Sequence, residues 1–407
     1  MKCIKFFTLG CKANQYDTQS IRERFLSKGF KEDLANPKPD YFLINTCTVT
    51  SGADQKSRNI IRRCIQANPQ AVVIVTGCLA EKDGNSLAAI KGVSLVVRKS
   101  FFPEGISSFS QHTRAFLKIQ DGCDNFCTYC KVALVRGKKR SKSFRQVIDE
   151  AKKLAACGFQ EIVLTGICLG QYGKDFTPKK NLTDLIDALV KIEGLSRIRL
   201  SSIEAGDVST KLIKRFASTK KLCRHLHIPI QSGDNSVLKR MNRKYTGDKY
   251  KNLICRIKQS IPGVSITTDC LVGFPGETEV NFNNTLNLVK IILPLKVHIF
   301  SYSMRPGTKA AKFQGLVEAR TINARCARLK EVSQACQYEF MKSFIGKKAL
   351  VLVEKITEGE AGYLEGLTDN YLKVMIPFKP GLRNKIVQVR LKRIVKKGFL
   401  GEYIDNS

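Results

Sequence analysis

Short apolar runs alternate with amphipathic segments along the first hundred residues. The apolar runs are residues 4–9, 41–45 and 71–76. Runs of this kind are expected for strands that are buried on both faces of a parallel sheet. The pattern therefore predicts an open parallel α/β sheet in the N-terminal part of the chain, which we place at residues 1–108.

The middle of the chain repeats a strand–helix unit. Its candidate strands are residues 115–119, 161–164, 197–201, 226–230, 265–271 and 297–302. Ser143 and Gln146 have the S-x-x-Q spacing of a capping box, which predicts the start of the first helix. Six such units predict a central partial (β/α)6 barrel, incomplete relative to a barrel of eight units. We place this barrel at residues 109–341.

Beyond residue 344 the pattern changes to short strands separated by glycines. The candidate strands are residues 349–355, 363–367, 372–377 and 385–394. Val387, Val389 and Leu391 alternate with polar or basic residues, so one face of the last strand is apolar and the other is basic. Residues 344–407 are therefore predicted to form a small all-β barrel, a fold that can bind nucleic acid. The fold class of the whole chain is α/β.

A cysteine follows each of the three N-terminal strand candidates. Cys11, Cys47 and Cys78, here called the N-terminal triad, would all lie at carboxyl ends of strands. In an open parallel sheet these ends line the crevice where ligands bind, and right-handed crossovers bring the loops to one edge. We therefore expect the triad to hold an iron–sulfur cluster that lacks a fourth protein ligand. The alternative is that each cysteine is a small buried apolar residue.

A second group of three cysteines follows the first candidate strand of the barrel. Cys123, Cys127 and Cys130, here called the loop triad, form a C-x3-C-x2-C run. A four-iron cluster closed by protein needs four thiolates, so three leave one iron open to a substrate or cofactor. A structural zinc site is the first alternative, but it needs four Cys or His ligands, and the four histidines are not at finger spacing. A dithiol pair of Cys127 and Cys130 is the second, and it leaves Cys123 unexplained.

Net charge points to the class of partner. The 407 residues include 69 Lys and Arg against 35 Asp and Glu, which gives a net charge of +34. Residues 211–258 hold 14 of the basic residues, and residues 136–145 form a second basic run. A basic run is often only a solvated surface. Two such runs around a candidate catalytic loop favour binding to the phosphates of a nucleic acid.

Cysteine usage and hydropathy point to the compartment. Fifteen cysteines in a chain without a secretory signal favour a reducing compartment, where thiols serve as ligands. Lys5 interrupts the apolar start of the chain, which argues against a lipoprotein leader. No apolar run approaches the roughly 18 residues of a membrane span. We therefore expect a soluble, cytoplasmic protein without membrane contact, and the sequence indicates no stable protein partner.

Motifs along nearly the whole chain resemble a known family. With Tyr129 as the aromatic residue, C-x3-C-x-aromatic-C resembles the cluster loop of radical S-adenosylmethionine enzymes. Further blocks resemble the methylthiotransferases of that superfamily: residues 8–18, 45–49, 76–78, 225–233, 272–277 and 303–308. The block Gly-Cys-Lys-Ala-Asn-Gln-Tyr-Asp-Thr within the first of these resembles in particular the branch that acts on N6-threonylcarbamoyladenosine in tRNA.

The resemblance implies a reaction and its cofactors. The reaction is the 2-methylthiolation of N6-threonylcarbamoyladenosine at position 37 of tRNA, next to the anticodon. It would use S-adenosylmethionine and two [4Fe–4S] clusters, one on the loop triad and one on the N-terminal triad. An external electron donor such as a flavodoxin or ferredoxin would reduce the first cluster, and the second would hold the sulfur to be inserted. The C-terminal barrel would be a small RNA-binding (TRAM-like) domain.

The resemblance also implies which residues surround S-adenosylmethionine. Tyr129 would pack near its adenine. Thr165 and Gly166 would meet its methionyl amine. Glu204 and Gly273 would line the remainder of the site. Packing at strand ends is the alternative interpretation of these stretches.

Some positions depart from the family pattern. After the third loop cysteine the family commonly has an aliphatic pair followed by Pro-Tyr-Ala-Arg-Gly. This chain has Lys131 in the pair and Ala133 and Leu134 in place of Pro and Tyr, while Arg-Gly is kept at 136–137. Cys168 stands where Asn is usual. These changes bear on loop geometry and substrate fit, whereas the reaction type depends on the two triads, which are complete.

Other functions use related chemistry. A methylthiotransferase can act instead on isopentenyladenosine in tRNA or on a ribosomal protein side chain, and an iron–sulfur protein can bind RNA without catalysis. The block at 10–18 and the net charge of +34 favour threonylcarbamoyladenosine in RNA. The missing fourth ligand in both triads favours a catalyst.

Overall fold

The computed structural model describes residues 2–98, 105–110, 112–356, 362–396 and 398–404. Its N-terminal sheet has five parallel strands in the order β2-β1-β3-β4-β5. These strands are β1 (Cys3–Thr8), β2 (Lys31–Glu32), β3 (Tyr41–Thr46), β4 (Val72–Gly77) and β5 (Leu95–Val96). Helices α1 (Lys12–Ser27), α2 (Ser51–Ala67) and α3 (Cys78–Ala88) connect them. The three predicted strands are confirmed, each within one residue of its predicted limits.

The central part contains two parallel sheets of three strands each, in the orders β10-β9-β6 and β11-β12-β13. Its strands, including the short antiparallel pair β7 and β8, are β6 (Arg114–Lys118), β7 (Gln120–Asp121), β8 (Arg140–Ser141), β9 (Glu161–Thr165), β10 (Arg197–Leu200), β11 (His225–His227), β12 (Ser265–Val272) and β13 (Lys296–Ser301). An isolated bridge between Ser202 and His227 joins the two sheets. This arrangement confirms the partial six-stranded barrel.

Helices alternate with these strands. They are α4 (Val132–Arg136), α5 (Phe144–Ala156), α6 (Leu182–Leu189), α7 (Thr210–Ser218), α8 (Asn235–Arg240), α9 (Gly247–Ser260), α10 (Glu279–Ile292) and α11 (Ala319–Lys342). As predicted, Ser143 caps α5, since its hydroxyl accepts the Gln146 N–H at 3.2 Å. The strand predicted at 226–230 is wrong in extent: β11 ends at His227, because Pro229 has no N–H to donate. Among the described residues, no helix has both the length and the apolar character needed to cross a membrane.

The C-terminal strands form a closed barrel in the order β14-β15-β16-β18-β17. They are β14 (Lys348–Ile356), β15 (Tyr363–Thr368), β16 (Lys373–Pro377), β17 (Ile386–Val395) and β18 (Gly398–Tyr403). Val389 and Leu391 are buried in its core, as the alternation predicts. The fifth strand was not predicted, because Gly398 and Gly401 weaken the strand pattern. The domain limits given above stay predictions.

Buried arginines fix the C-terminal barrel against the amino ends of the central strands. Arg197 Nη2 donates to Leu350 O at 2.7 Å, and Arg199 Nη1 donates to Asp369 O at 2.8 Å. Arg199 Nε also donates to the buried carboxylate of Glu161 at 2.7 Å. Burial opposes the charge of Glu161, but the surrounding arginines hold its pKa below the usual value. The C-terminal barrel thus closes the end of the central barrel opposite the carboxyl ends of the strands.

Helix α1 docks the N-terminal sheet onto the central part through buried polar contacts. Tyr16 OH donates to Glu150 Oε1 at 2.7 Å, and Lys142 Nζ donates to Tyr16 OH at 2.8 Å. Lys118 Nζ forms an ion pair with Asp17, and both side chains are buried. These contacts fix how the two parts are aligned, because each buried group is satisfied only when its partner is in place.

The ion pair of Glu161 with Arg199, at the amino ends of the central strands, can be tested by the substitution Glu161→Gln. This substitution leaves the buried arginines without the carboxylate that they share, so we expect the free energy of unfolding to fall by about 3–5 kcal/mol. Urea denaturation followed by circular dichroism measures the change. The control is Asp149→Asn, which breaks the exposed pair of Asp149 with Arg145 and should cost less than about 1 kcal/mol. Equal losses in the two variants would contradict this account.

Candidate active site

The loop triad begins at a glycine that follows β7. Gly122 has a φ of +71°, and a Cβ at this position would lie 2.0 Å from Lys138 O, so only glycine fits. Cys123 N–H then donates to Gly137 O at 3.1 Å. This bond closes the base of the loop and places the triad at the carboxyl end of the first barrel strand, as predicted.

Backbone N–H groups point at two sulfurs of the loop triad. Asn125 N–H donates to Cys123 Sγ at 3.5 Å, and Val132 N–H donates to Cys130 Sγ at 3.4 Å. Burial raises the pKa of Cys130 to about 12. A bound metal ion deprotonates a coordinating thiol, and the N–H groups would then stabilise the negative sulfur. The loop is therefore suited to hold a metal cluster.

A second segment of chain supports the loop from its outer side. Asn242 Nδ2 donates to Asn125 O at 3.3 Å and to Phe126 O at 3.1 Å. Thr128 N–H donates to Met241 O at 3.1 Å. The turn after α8 therefore holds the loop in place.

Arg243 connects the loop triad to Glu204. Its Nη1 lies 3.4 Å from Cys127 Sγ, and its Nη2 donates to both carboxylate oxygens of Glu204, at 2.6 and 2.8 Å. Burial raises the pKa of Cys127 and that of Glu204, and the guanidinium opposes both shifts. The sequence does not single out Arg243, because it lies in the basic segment that is interpreted as an RNA-binding surface.

Cys168 lies beside the loop triad. A hydrogen bond from its thiol lowers the pKa of Cys123 to about 7 and correspondingly raises that of Cys168. Asn125 Nδ2 and Asp207 Oδ2 each lie 3.7 Å from Cys168 Sγ. The departure from the family pattern at this position therefore places a fourth thiol against a candidate cluster ligand.

Tyr129 and Thr165 lie near the triad, where the resemblance implies S-adenosylmethionine. Tyr129 is half-buried and packs edge-to-face on Phe274, with ring centroids 6.4 Å apart. Burial raises its pKa well above the usual value, so the phenol is neutral. The Thr165 hydroxyl donates to Val163 O at 3.1 Å, within its own strand. Their roles toward the cofactor stay predictions.

The glycines assigned to the cofactor site lie at the carboxyl ends of β9 and β12. Gly166 lies against Gln120, whose Oε1 accepts the Cys168 N–H at 2.8 Å. Gly273 has a φ of +77°, and its N–H donates to Glu277 Oε2 at 2.8 Å. Gly273 is thus required by the turn itself, and contact of either glycine with a cofactor stays a prediction.

The N-terminal triad lies at the carboxyl edge of its sheet, as the strand pattern predicts. Cys11 precedes α1 and is exposed, Cys78 is the first residue of α3, and Cys47 is buried between them. Burial raises the pKa of Cys47, with smaller contributions from the other two thiols. Helix N-termini at Cys11 and Cys78 favour negative sulfur at both positions.

Arg136 joins the two triads. It belongs to α4, directly after the loop triad, and its Nη2 donates to Asn14 Oδ1 at 2.6 Å while lying 4.0 Å from Cys11 Sγ. Its Nη1 donates to Asp121 Oδ1 at 2.7 Å. Cys78 Sγ lies 3.8 Å from the same Asn14 oxygen. The basic run at 136–145 therefore begins with a buried arginine that contacts residues of the N-terminal part of the chain, next to Cys11.

Three polar residues come together on the inner strands of the second sheet. Ligand atoms of His227, Asp269 and His298 all lie within 4.8 Å of one another. His227 Nδ1 hydrogen bonds Thr267 Oγ1 at 2.9 Å, and its Nε2 lies 3.2 Å from Asp269 Oδ2. The ligand atoms of the three side chains are thus close enough together to hold a metal ion or to hydrogen-bond a polar ligand.

Comparisons with known proteins agree with this geometry. A family model described as the radical SAM superfamily matches residues 117–289, and one described as uncharacterized protein family UPF0004 matches residues 3–98. The threonylcarbamoyladenosine tRNA methylthiotransferase MtaB of Bacillus subtilis (strain 168) is 39% identical over 98% of this chain and 95% of its own. The tRNA-2-methylthio-N(6)-dimethylallyladenosine synthase of Pelotomaculum thermopropionicum is 33% identical over 96% of this chain and 95% of its own.

A solved structure shares the fold. The radical S-adenosylmethionine methyltransferase TsrM from Kitasatospora setae, solved with cobalamin and a [4Fe–4S] cluster, aligns with a TM-score of 0.56 and 13% identity. The alignment covers 76% of this chain and 77% of TsrM, and at this identity it bears on the fold alone. The substantial identity to curated relatives over nearly the whole chain shows that the protein belongs to the radical S-adenosylmethionine tRNA methylthiotransferase family.

Proposed function

We propose that this enzyme transfers a methylthio group to carbon 2 of N6-threonylcarbamoyladenosine at position 37 of tRNA. The observation that carries the proposal is that Arg136, in the helix that follows the loop triad, lies 4.0 Å from Cys11 of the N-terminal triad, which supports a common site for the two candidate clusters. Four relatives named threonylcarbamoyladenosine tRNA methylthiotransferase MtaB, which are 34–39% identical to this chain, support the choice of substrate.

The donor sets fit the cofactors of the family, which uses S-adenosylmethionine with a [4Fe–4S] cluster and carries a second cluster. The loop triad would hold the first cluster and the N-terminal triad the second, since three thiols leave one iron of each open. When bound, these groups supply the radical chemistry that removes an unactivated hydrogen, together with the sulfur to be inserted. The protein contributes backbone N–H groups that donate to the sulfurs of Cys123 and Cys130. It also contributes the positive charges of Arg136 and Arg243.

The remaining binding roles are those that the family resemblance implies. Tyr129 would pack near the cofactor adenine, and Thr165 and Gly166 would meet the methionyl amine at the end of β9. Glu204 and Gly273 would line the rest of the site, with the charge of Glu204 held by Arg243. An external electron donor such as a flavodoxin or ferredoxin would supply electrons.

The RNA surface would consist of the exposed cations. The net charge of +34 and exposed residues such as Lys379, Arg383 and Lys392 of the C-terminal barrel favour contact with phosphates. Buried cations such as Arg243 are used inside the protein and cannot contribute to that contact.

The substrate is tested with purified tRNA that carries either threonylcarbamoyladenosine or isopentenyladenosine. We expect the reconstituted enzyme to form the 2-methylthio product on the first tRNA, at a rate at least about 100-fold above that on the second, because polar recognition discriminates strongly. Mass spectrometry of the digested nucleosides measures both products. Faster turnover of the isopentenyladenosine tRNA would contradict the proposal. It would favour the substrate of the relatives named tRNA-2-methylthio-N(6)-dimethylallyladenosine synthase.

The number of clusters is tested by iron and sulfide analysis after anaerobic reconstitution. We expect about eight irons and eight sulfides per chain, because each triad suits one four-iron cluster. Changing Cys123, Cys127 and Cys130 together to Ala should halve that content. Cys157→Ala, which removes an exposed cysteine outside both triads, should leave it unchanged. Loss of all iron in the triple variant would contradict two independent sites.

The roles of the two triads are separated by single substitutions. Cys47→Ala should leave 5′-deoxyadenosine production from S-adenosylmethionine largely in place and abolish methylthiolation, because only the loop triad is needed to form the radical. Cys127→Ala should abolish both activities. Cys64→Ala is the matched control, since Cys64 is equally buried in the same sheet domain but lies outside the triad. Normal methylthiolation by the Cys47 variant would refute the role of the N-terminal triad in supplying sulfur.

A further inference from the structure

Lys131 carries a buried ammonium group that lacks a partner. The residue follows Cys130 directly and is only 4% exposed. Within the part of the chain that the structure describes, its Nζ is buried and makes no hydrogen bond. Lysine is almost never fully buried unless it is paired, and an unpaired buried charge is costly. An anion that belongs at this position would remove that cost.

Two other cations and one carboxylate surround Lys131. Lys82 of α3 lies beside it, and because it is also an ammonium it cannot accept a hydrogen bond. Arg305, in the loop after β13, is also near Lys131. Asp54 accepts Arg305 Nη2 at 2.7 Å, and its Oδ2 lies 3.9 Å from Lys82 Nζ. These residues, here called the cation cluster, hold three positive charges against one negative charge.

Arg305 itself has an unused donor. Its Nη1 donates to Ser51 Oγ and its Nη2 to Thr48 O, each at 3.0 Å. Its Nε is buried and has no hydrogen-bond partner among the described residues. Two buried donors, Lys131 Nζ and Arg305 Nε, therefore remain free for an acceptor. Lys82 is exposed, so the cation cluster borders solvent.

Along the chain, the cation cluster is close to cysteines of both triads. Lys131 comes one residue after Cys130, Thr48 one residue after Cys47, and Lys82 belongs to the helix that begins at Cys78. A base that receives sulfur from one triad and loses hydrogen at the other must lie in this same region. A charged substituent on that base would therefore reach the cation cluster.

We propose that Lys131, with Arg305 and Lys82, binds the threonyl carboxylate of N6-threonylcarbamoyladenosine in this chain. The inference rests on the proposed function. A carboxylate offers two acceptor oxygens and a negative charge, which match the free donors and the excess positive charge of the cation cluster. An isopentenyl group offers neither, so binding it would leave the buried ammonium unpaired.

The test compares two anticodon stem-loop RNAs, one with threonylcarbamoyladenosine and one in which the threonyl carboxylate is replaced by a neutral carboxamide. The reconstituted wild-type enzyme should bind the carboxylate RNA roughly 10- to 100-fold more tightly, as expected for hydrogen bonds to a charged group. Fluorescence anisotropy at fixed salt gives Kd, and methylthiolation assays give KM for the same RNAs.

Single substitutions then test whether Lys131 causes the difference in affinity between the two RNAs. Lys131→Met keeps the length of the side chain but removes its charge, and it should reduce the preference for the carboxylate RNA to within about 2-fold. Lys138→Met is the matched control, because it removes an exposed charge from the same segment and should keep the full preference. Iron content is measured in both variants, and Lys138→Met should match the wild type in iron content and in cofactor cleavage.

Each outcome of these measurements bears on either the inference about the carboxylate or the proposed function. Equal binding of the two RNAs by a wild-type enzyme that methylthiolates threonylcarbamoyladenosine would overturn the inference and leave the proposed function in place. A full preference retained by Lys131→Met would overturn the assignment to Lys131. If Lys131→Met does not fold, the wild-type comparison still decides whether the carboxylate is bound. A wild-type enzyme that acts on isopentenyladenosine RNA alone would overturn the proposed function, and the inference with it.

Discussion

The structure depends on a buried cation placed between two groups of thiols. Arg136 is 4% exposed, and its guanidinium contacts Asn14 and Asp121 and lies near Cys11. Burial opposes the charge, but Asp121 and the thiols of the N-terminal triad raise the pKa of Arg136 well above its usual value. A guanidinium has donors in a rigid planar fork, so it sets the directions of these contacts as well as supplying the charge. This side chain therefore helps to fix the segment that follows the loop triad against the N-terminal triad.

Further polar contacts hold the same alignment of the N-terminal sheet and the central barrel. Tyr16 bonds Glu150, Lys118 pairs with Asp17, and Arg305 bonds groups of the loop that follows Cys47. Buried ion pairs contribute little net stability, because desolvation offsets most of their attraction, but they are satisfied only in one relative orientation. The geometry of the candidate reaction centre is thus obtained in part from residues that have no assigned role in the chemistry. The sequence block at 10–18, which resembles that of the branch acting on N6-threonylcarbamoyladenosine, includes several of these alignment residues.

The sequence is sufficient to predict structural features that repeat along the chain or that follow from counting residues of one type. Short apolar runs predict the N-terminal strands, and the position of one cysteine after each of them predicts the N-terminal triad. Arg243 and the group of His227, Asp269 and His298 cannot be predicted in this way, because they come together only through strand register and through the return of the chain to the loop triad. The sequence does not predict strand β18, and the reason is local. Closure of the barrel holds the backbone of this strand in place, whereas its glycines have a low propensity for strands. Lys131 is visible in the sequence as a departure, but its lack of a partner is visible only in three dimensions.

The C-terminal barrel supports the central barrel, so its removal would affect more than a possible RNA surface. It covers the amino ends of the central strands, where Arg197 and Arg199 donate to its backbone carbonyls. Deleting residues 344–407 would leave these buried donors without acceptors and so would disturb the catalytic barrel itself. Loss of RNA binding after such a deletion would therefore not distinguish a missing surface from a damaged core. Phosphate contacts depend on exposed cations, so a contribution of this barrel to RNA binding would come from residues such as Lys379 and Lys392, whose charge can be removed while the buried arginines stay paired.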